Sequence, residues 1–481
     1  MKLTRVLKGD NNMAKKPELD ENGFRKVGLL DYLAYAAGDF GCNMSFVLAG
    51  TFFTLFYTQY MGIDSLTFAG ILVILKIWDA INDPLIGGWM DSSKKTFKRG
   101  KFKTFIFYGS FLLVISACLC FLPVPQANMT AKIALCVIGY MLWDASYTIV
   151  NVPYGSMLSV ISANAADRAQ LGAWRSVGAM LAQLPVQAIL PVIIYDANNN
   201  LVGSKLFWVA LVLGIIGLAA FQFMIHNTIE RVQIPEEEKQ IKFNYFQAIK
   251  NFFQNRPALG ATIPPVAQFL GTMGGATAVA VMFQSYFQNA RISGVLSLLT
   301  ALPMFFFMPF LRKIVNKYGK KEGAEKGMIV SIVACLLMVI IPIPANGTGI
   351  LIFILLQLIN GIGMGMYMCV GNAMMADAID YNEWKNGVRD EGVTYALHSF
   401  FRKLAQGLGP SIGLVLMVML GYNEQLGAAQ PFNVALNMRY LVAAMYLVSA
   451  VLQYIGIKYV YNLDKATLEE MERDLGRATG N

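Results

Sequence analysis

The chain of 481 residues is 56% hydrophobic and 14% charged, and its mean hydropathy of +0.49 excludes an ordinary soluble globule. A bilayer is the solvent that this composition indicates, because a spanning helix needs roughly 20 apolar residues. The net charge of +9 does not predict a nucleic-acid partner, since the basic residues are concentrated in particular loops.

Twelve apolar segments that are long enough to span a bilayer follow one another along the chain. Their predicted bounds are 30–60, 66–90, 103–123, 131–161, 171–195, 205–226, 258–288, 292–311, 327–345, 349–382, 391–420 and 438–461. The longest polar interruption lies between the sixth and the seventh segment. We therefore predict an all-α membrane protein with twelve transmembrane helices in two six-helix halves, which is the layout of the major facilitator fold.

This layout divides the chain into five parts. They are a cytoplasmic N-terminal segment (1–26), the first half (27–226), a cytoplasmic linker (227–257), the second half (258–462) and a cytoplasmic tail (463–481). An internal repeat supports the two halves, because Pro84 precedes Gly100 by 16 residues and Pro303 precedes Gly319 by the same interval. The polar first segment has no apolar core before a cleavage site, so we expect a cytoplasmic leader and not a signal peptide.

Basic residues mark the connections that are predicted to face the cytoplasm. They crowd the connections after the second and the eighth span: Lys94, Lys95, Lys98, Arg99, Lys101 and Lys103 in one, and Arg312, Lys313, Lys317, Lys320, Lys321 and Lys326 in the other. The alternate connections 62–65, 123–130, 195–204, 342–348 and 421–437 hold no Lys or Arg. The positive-inside rule then predicts a multi-pass protein of the inner membrane with both termini in the cytoplasm.

The second span carries charges inside the membrane. Lys76, Asp79 and Asp83 fall at i, i+3 and i+7 on one helical face, with Asn82 beside them. Each charge costs roughly 2.5–3.5 kcal/mol at the centre of a bilayer, so this face is expected to line a cavity in which its charges are paired. Two carboxylates and an amide oxygen can bind a small cation or share a proton. The alternative is a Lys76–Asp79 pair that only holds helices together.

Further polar side chains lie within other spans. Asp144, Thr148 and Asn151 share one face of the fourth span, followed by Tyr154, and interhelical hydrogen bonding is the alternative to a binding site there. Span one adds Asp39 and Asn43, span five adds Trp174 and Arg175, and span eleven adds Arg402 and Lys403. Charged side chains within a membrane are costly unless they pair with opposite charges. We therefore expect a cavity between the halves that is ringed by Asp39, Asp79, Asp83, Asp144, Arg175 and Lys403.

The predicted cytoplasmic end of span ten is rich in charged residues. Asp377, Asp380 and Glu383 lie within it, and Arg389 follows it. We predict a salt-bridge network that acts as a gate at the inner surface. A direct contact with a solute is the alternative interpretation.

Little in the chain supports catalysis or a resident metal. The six cysteines (Cys42, Cys118, Cys120, Cys136, Cys335 and Cys369) lie in apolar segments without CxxC spacing, and the chain has only two histidines, His226 and His398. We find no nucleophile elbow, phosphate loop or metal-ligand set. The sequence therefore predicts no enzyme, no cofactor and no metal other than a transported cation.

Several motifs together resemble the glycoside–pentoside–hexuronide cation symporters, over nearly the whole chain. They are Gly38-Asp39-Phe40-Gly41, Ile77-Trp78-Asp79-Ala80-Ile81-Asn82-Asp83-Pro84, Arg99-Gly100-Lys101-Phe102-Lys103, Tyr147-Thr148-Ile149 with Pro153, and the segment from Asp377 to Gly392. The resemblance implies that Asp79 and Asp83 are cation-site carboxylates, with Asn82 and Thr148 as helpers. It also implies that Lys403 lies between a cation site and a sugar site, and that Arg175 contacts the sugar.

The chain departs from the family pattern in its sugar site. The two sugar-binding aspartates of the family align with Asn43 and Asn151, and its sugar-stacking tryptophan aligns with Gly155. In the opposite sense, Asp39 and Asp144 stand where the family has small uncharged residues. A sugar therefore remains the expected solute, but its identity does not transfer, and an anionic sugar such as a hexuronide is an open alternative.

These observations predict a secondary active transporter that couples a sugar to Na⁺ or H⁺, with Li⁺ as a further candidate, by alternating access. The predicted substrate-binding residues are Asn43, Asp39, Asn151, Asp144, Arg175, Trp174, Tyr154 and Lys403, and the predicted coupling or gating residues are Lys76, Lys403, Asp377, Asp380, Glu383 and Arg389. The alternatives are a carrier of a lipid or other amphiphile and a receptor that binds solute without moving it. The expected partners are a small sugar, a monovalent cation and membrane lipid, and the expected state is a monomer.

Overall fold

The computed structural model describes residues 25–92, 100–162, 165–231, 250, 252–294, 311–387 and 391–475. Its regular structure is helical, with an isolated antiparallel bridge between Tyr195 and Leu201. The predicted linker 227–257 lies largely outside the described residues, and the division of the chain into two halves, a linker and a tail remains a prediction.

Helices α1 to α6 belong to the predicted first half. Their bounds are Leu29–Leu55 (α1), Ser65–Ser92 (α2), Lys101–Cys120 (α3), Met129–Ile161 (α4), Ala165–Ile194 (α5) and Ser204–Asn227 (α6). The chain continues from α1 into a π-helical turn, Phe56–Tyr60. Asn128 caps α4 by accepting a hydrogen bond from the backbone N–H of Ala131.

Helices α7 to α13 complete the described chain. Their bounds are Arg256–Val281 (α7), Leu311–Tyr318 (α8), Lys320–Ile340 (α9), Gly347–Asn386 (α10), Glu391–Met419 (α11), Phe432–Ile455 (α12) and Lys465–Asp474 (α13). π-helical turns extend α7 over Met282–Tyr286 and α12 over Gly456–Val460. Short 3₁₀ helices lie at Ala290–Ile292 and Glu424–Ala429.

Ten helices within the described ranges are long and apolar enough to cross a membrane, namely α1–α7, α9, α10 and α12. Helix α11 is also long, at 29 residues, but it carries Arg402 and Lys403, which lower its hydropathy. The predicted span 292–311 lies mostly outside the described residues. The chain is therefore an all-α multi-pass membrane protein, and its helices are consistent with the predicted twelve.

Large apolar side chains cover the outer surface of the bundle. Examples on α2, α3, α6, α9 and α11 are Ile74, Ile115, Trp208, Ile340 and Met419, each more than 60% exposed. A soluble protein rarely exposes apolar residues over so many elements, whereas lipid tails solvate them without cost. The exposure pattern therefore agrees with the composition.

Within the described residues the helices pack in two groups, and the most extensive contact between the groups lies between α2 and α11. Helix α1 packs against α5 and α6, and α3 packs against α4 and α6; in the other group α7 packs against α11 and α12, and α9 packs against α10 and α12. Helix α2 packs against both α4 and α11, so it connects the two groups. The seam between α2 and α11 brings charged residues of both halves together.

Glycines lie at the closest contacts between helices, at corresponding positions in the two groups. A Cβ added to Gly178 on α5 would lie 2.0 Å from the carbonyl oxygen of Ala36 on α1, and one added to Gly413 on α11 would lie 1.9 Å from that of Gly274 on α7. Small residues allow such close packing, which stabilises helix pairs in a membrane where apolar burial does not. Helices α1 and α5 therefore pack in the same way as α7 and α11, with a glycine at the closest contact of each pair.

The internal repeat read from the sequence has a backbone counterpart. Gly100 and Gly319 precede α3 and α9 with φ angles of 90° and 91°, values that glycine adopts without the cost that a Cβ imposes. The π-helical turns at the C-terminal ends of α1 and α7 form a second matching pair.

Candidate functional site

A charged cluster lies where α2, α4 and α11 meet. The Nζ of Lys403 donates to Oδ2 of Asp83 at 2.5 Å, and Oγ1 of Thr148 donates to Oδ1 of the same carboxylate at 2.9 Å. Lys403 belongs to the second half and the other two belong to the first. The structure therefore links the halves through an ion pair at Asp83, whose side chain is 30% exposed.

Asn82 connects this ion pair to a second acid. Its Nδ2 donates to Oδ2 of Asp144 at 3.0 Å and lies 3.0 Å from Oγ1 of Thr148. Asp144 is only 5% exposed, and it interacts electrostatically with Asp79 and Asp83. Asp144 thus lies among the predicted cation-site residues, whereas the sequence predicted a role in binding the substrate.

Lys76 pairs with the remaining acid of α2. Its Nζ donates to Oδ2 of Asp79 at 3.3 Å and to the hydroxyl of Tyr140 at 2.8 Å. The alkyl chain of Lys76 runs against Gly407 of α11, where an added Cβ would lie 2.6 Å from Cδ. Lys76 therefore contributes to packing between α2 and α11 as well as to charge pairing.

Carboxylates outnumber ammonium groups in this cluster by one. The acids are Asp79, Asp83 and Asp144, and the cations that contact them among the described residues are Lys76 and Lys403. Uncompensated charge at this depth is costly, so binding one monovalent cation would balance the cluster. No group of three or more His, Cys, Asp or Glu side chains in the described ranges is arranged to hold a metal ion. In this structure the ammonium groups of Lys76 and Lys403 form ion pairs with two of the three carboxylates.

A second charged cluster lies on α1 and α5. The Nε of Arg175 donates to Oδ1 of Asp39 at 3.1 Å, and Nδ2 of Asn43 lies 3.3 Å from Oδ2 of the same acid and 2.8 Å from its main-chain oxygen. The guanidinium stands 5.0 Å from the ring centre of Tyr154, within the range of a cation–π contact. The structure thus brings Asp39, Asn43, Tyr154 and Arg175 together, and their role in binding a substrate remains a prediction.

The guanidinium of Arg175 is partly exposed beside open space. Its side chain is 36% exposed, and its Nε is the atom that pairs with Asp39. A Cβ added to Gly155 would have Nη1 of Arg175, at 4.0 Å, as its only neighbour within 4 Å. Open space therefore adjoins Arg175 at the position where the resembling family has a stacking tryptophan.

Other predicted substrate residues lie apart from these contacts. Asn151 on α4 and Trp174 on α5 are half-buried, and neither has a hydrogen bond within the described residues. Lys403 contacts Asp83 and not Arg175 or Asp39. The substrate assignments of these three residues remain predictions.

The far end of α10 carries the predicted gating acids. Lys320 Nζ donates to both carboxylate oxygens of Asp377, at 2.7 and 2.6 Å, and the hydroxyl of Tyr461 lies 3.4 Å from Oδ2. Asp380 and Glu383 follow on the same helix, and Arg389 lies outside the described residues. The described pairing of Asp377 stays within the second half, so its gating role remains a prediction.

A cavity of about 380 Å³ opens between the two groups of helices. Its wall includes Phe46 and Thr51 of α1, Gln183 and Gln187 of α5, Gln268 and Thr272 of α7, Gln357 and Asn360 of α10, and Tyr446 of α12. These amide and hydroxyl side chains were not among the residues predicted from the sequence, because a single Gln or Asn within an apolar helix is equally typical of interhelical hydrogen bonding. The i, i+4 spacing of Gln183 with Gln187 and of Gln268 with Thr272 was the available signal.

Comparison with known proteins identifies the family and the fold of the chain. A sequence model for the family described as MFS/sugar transport protein matches residues 34–465. The chain belongs to this family. An uncharacterized symporter, YjmB, of Bacillus subtilis is 28% identical over 455 residues, which cover 94% of this chain and 96% of the relative. The isoprimeverose transporter of Lactiplantibacillus pentosus is 27% identical over 85% of this chain and 84% of its own length.

Solved structures agree with the fold. A crystal structure of a bacterial homologue of the human lysosomal transporter Spinster, in an inward-facing and occupied conformation, superposes with a TM-score of 0.61 at 13% identity. The match covers 93% of this chain and 98% of the chain in that structure. The predicted major facilitator fold and the predicted likeness to the sugar–cation symporters are confirmed. The protein is a membrane transporter of the sugar and solute class and not an enzyme.

Proposed function

We propose that the protein is a symporter that couples the uptake of a sugar to a monovalent cation, Na⁺ or H⁺, by alternating access. Two of its relatives are named as a symporter and as an isoprimeverose transporter, which supports both the coupling and a sugar as solute. The two clusters and the cavity come from a single chain, so we propose the monomer as the working unit. We also propose the inner membrane, with both termini in the cytoplasm, from the positions of the basic loops.

The ion pair between Lys403 and Asp83 is the main observation that supports this proposal. It joins α11 of the second half to α2 of the first at 2.5 Å, and Thr148 extends the contact to α4. A cation that binds Asp83 would compete with the ammonium group of Lys403 for the carboxylate. Cation binding would thereby change the contact between the halves, which is the movement that alternating access requires.

Coupling then follows from linkage between the two ligands. If the cation and the sugar favour the same arrangement of the halves, each raises the affinity of the other by a common factor. The membrane potential contributes about 2.3 kcal/mol per charge per 100 mV. That energy suffices for an accumulation of roughly fiftyfold when one charge enters with each neutral solute.

Transport by purified protein in proteoliposomes tests the proposal. Counterflow of a labelled sugar measures exchange without a driving force, and uphill uptake under an imposed Na⁺ or proton gradient measures coupling. We expect Asp83→Asn to abolish uphill uptake while counterflow survives. Asp64→Asn is the matched control, since Asp64 caps α2 by accepting from the N–H of Thr67 at 2.9 Å, away from the cluster.

The possible results separate the candidate functions. Uphill uptake by Asp83→Asn at the level of the wild type would show that this carboxylate does not couple. Sugar binding without any counterflow would indicate a receptor. Counterflow of a lysophospholipid but of no sugar would indicate a carrier of amphiphiles.

A further inference from the structure

The segment that leads from α8 into α9 carries an excess of positive charge. Residues 312–326 hold six basic residues and two acids, Glu322 and Glu325. Both acids have partners in other elements: Glu325 pairs with Lys458 at 3.0 Å, and Oε1 of Glu322 accepts from the backbone N–H of Lys465 at 3.2 Å. The segment therefore keeps positive charge that a partner from outside the chain could balance.

Two ammonium groups of this segment converge on the ring of Tyr318. The Nζ of Lys317 lies 5.0 Å from the ring centre and the Nζ of Lys326 lies 4.2 Å from it, both within the range of a cation–π contact. Within the described ranges neither lysine forms a salt bridge, and the hydroxyl of Tyr318 makes no hydrogen bond. Two positive charges and one hydroxyl donor are thus gathered at one place without a carboxylate between them.

Lys326 also continues the lipid-facing side of α9. Ile329, Val330 and Val333 follow it by three, four and seven residues on the same helical face, and they are 44%, 40% and 49% exposed. We call these three residues the α9 stripe. An ammonium group on such a face is costly unless its flexible stem carries it to the membrane surface. The Nζ of Lys326 does reach back to Tyr318, which precedes α9, so the ring marks the membrane surface on this side.

A phospholipid with a net negative headgroup fits both parts of this surface. Its phosphate can bind the two ammonium groups, and its acyl chain can lie along the α9 stripe directly beyond them. A zwitterionic headgroup fits less well, because it brings an ammonium group of its own to a place that is already positive. Lysines that are only solvated are the alternative, since basic residues are common on the cytoplasmic side. That alternative predicts no preference between lipids at this position.

We propose that Lys317, Tyr318 and Lys326 form a binding site for an anionic phospholipid, in the leaflet that is predicted to be cytoplasmic. The two ammonium groups bind the lipid phosphate, and an acyl chain lies along the α9 stripe. Lys320, two residues after Tyr318, pairs with Asp377 at 2.6 Å, so a bound lipid braces the start of α9 beside the predicted gate. The inference concerns the surrounding lipid and does not depend on which solute is carried.

Fluorescence quenching at a defined position tests this site. A bimane label on Ile329→Cys reports the lipid beside it in phosphatidylcholine vesicles that contain a minor fraction of brominated phosphatidylglycerol or, in a parallel sample, brominated phosphatidylcholine. Ile340→Cys is the positional control, because Ile340 is 71% exposed at the other end of α9. The signal of the labelled wild type is subtracted, since the chain has six cysteines. We expect phosphatidylglycerol to be enriched at Ile329 at least about fivefold over Ile340, the attraction of one lysine or more.

Substitutions of the lysines connect the enrichment to the site. Lys317→Gln and Lys326→Gln should each lower it about two- to fivefold, and the two together should remove it, whereas Lys326→Arg should keep it. Lys385→Gln is the matched control with the same change of charge. Its ammonium group lies 3.7 Å from the ring centre of Trp384 at the end of α10, away from the α9 stripe, so the enrichment at Ile329 should not change.

Four results would overturn the inference. Equal quenching by the two brominated lipids at Ile329 would show no preference for the anionic headgroup. Enrichment that survives the double substitution of Lys317 and Lys326 would place the lipid elsewhere. An equal loss in Lys385→Gln would show that net charge, and not this site, attracts the lipid. Loss of the enrichment on addition of inorganic phosphate at constant ionic strength would indicate a site for free anions and not for a lipid.

Discussion

The side-chain amides of Gln59 and Gln284 exchange hydrogen bonds between the two halves, with N–O distances of 3.0 and 3.2 Å. Gln59 lies in the π-helical turn that ends α1, and Gln284 lies in the matching turn that ends α7. The Nε2 of Gln59 also lies 3.0 Å from the hydroxyl of Tyr422. These contacts join the two halves at the end of the molecule that is predicted to face away from the cytoplasm.

Breaking this amide pair is expected to open that end more often. Gln59→Ala removes hydrogen bonds that exist only while the halves touch there, and each is worth about 0.5–1.5 kcal/mol. We expect the open population to rise at least about tenfold. The measurement is the rate at which an impermeant maleimide labels Thr51→Cys, a residue of the cavity wall, from the outer side of right-side-out vesicles.

A control at the same surface isolates the effect. Gln425 is exposed in the 3₁₀ helix Glu424–Ala429, and within the described residues its side chain makes no hydrogen bond to the first half. Gln425→Ala should leave the labelling rate unchanged. If Gln59→Ala labels no faster than this control, the amide pair does not hold this end closed.

The close packing at Gly178 gives a prediction about stability. A Cβ at this position would lie 2.0 Å from the carbonyl oxygen of Ala36, so α1 and α5 must separate in Gly178→Ala. Overpacking of this kind typically costs about 1–3 kcal/mol, and we expect a lower midpoint of thermal unfolding. Gly172→Ala on the same helix, where nothing lies within 4 Å, should be neutral or stabilising. Equal midpoints for the two variants would contradict the packing argument.

The cap of α13 gives a prediction about pH. The Oδ1 of Asp464 accepts from the N–H of Thr467 at 2.8 Å and from its hydroxyl at 2.6 Å, and these bonds lower the pKa of Asp464 below its ordinary value of 3.8. A lowered pKa means that the cap is complete above that value and is lost as the pH falls through the lowered pKa. Asp464→Ala should speed amide exchange in α13 near about pH 7, and its difference from the wild type should shrink as the pH falls below 3.8. An effect that stays the same on acidification would show that the ionised carboxylate is not the cap.

The helices could be predicted because their length and apolar character are local properties of the chain. The segment predicted over 205–226 is α6, Ser204–Asn227, and the one predicted over 349–382 is α10, Gly347–Asn386. The spacing of Gly100 and Gly319 likewise indicated a repeat whose backbone matches at both positions. The segment 292–311 cannot be compared, because most of it lies outside the described residues.

The partners of the charged residues could be predicted only in part. Spacing on one helix placed Asp79, Asn82 and Asp83 near one another, since i, i+3 and i+4 positions share a face. Which residue of another helix meets each of them depends on how the helices pack, and the sequence does not contain that information locally. The contact of Asn82 with Asp144 and the amide wall of the cavity are therefore results of the structure.

Asp144 provides a test that separates its two assignments. From the sequence, Asp144 is predicted to bind the substrate, whereas in the structure its carboxylate lies 3.0 Å from Nδ2 of Asn82. We expect Asp144→Asn to weaken cation affinity about tenfold or more, because it removes one charge from a buried cluster. Sugar affinity at saturating cation should stay within about threefold. A loss of sugar affinity with unchanged cation affinity would support the substrate role instead.

Lys403 provides the sharpest test of how the cation is coupled. If its ammonium group competes with the cation for Asp83, then Lys403→Gln should raise cation affinity, since it frees a carboxylate oxygen that now lies 2.5 Å from Nζ. The side chain is 62% exposed, so solvent screens the pair and we expect only about a two- to fivefold gain. Uphill sugar uptake should nevertheless be lost, because the contact that links cation binding to the halves is gone. Lys458→Gln, which removes a pair with Glu325 at 3.0 Å elsewhere in the second half, is the control and should change neither property. A fall in cation affinity in Lys403→Gln would mean that the lysine supports the binding of the cation and does not compete with it.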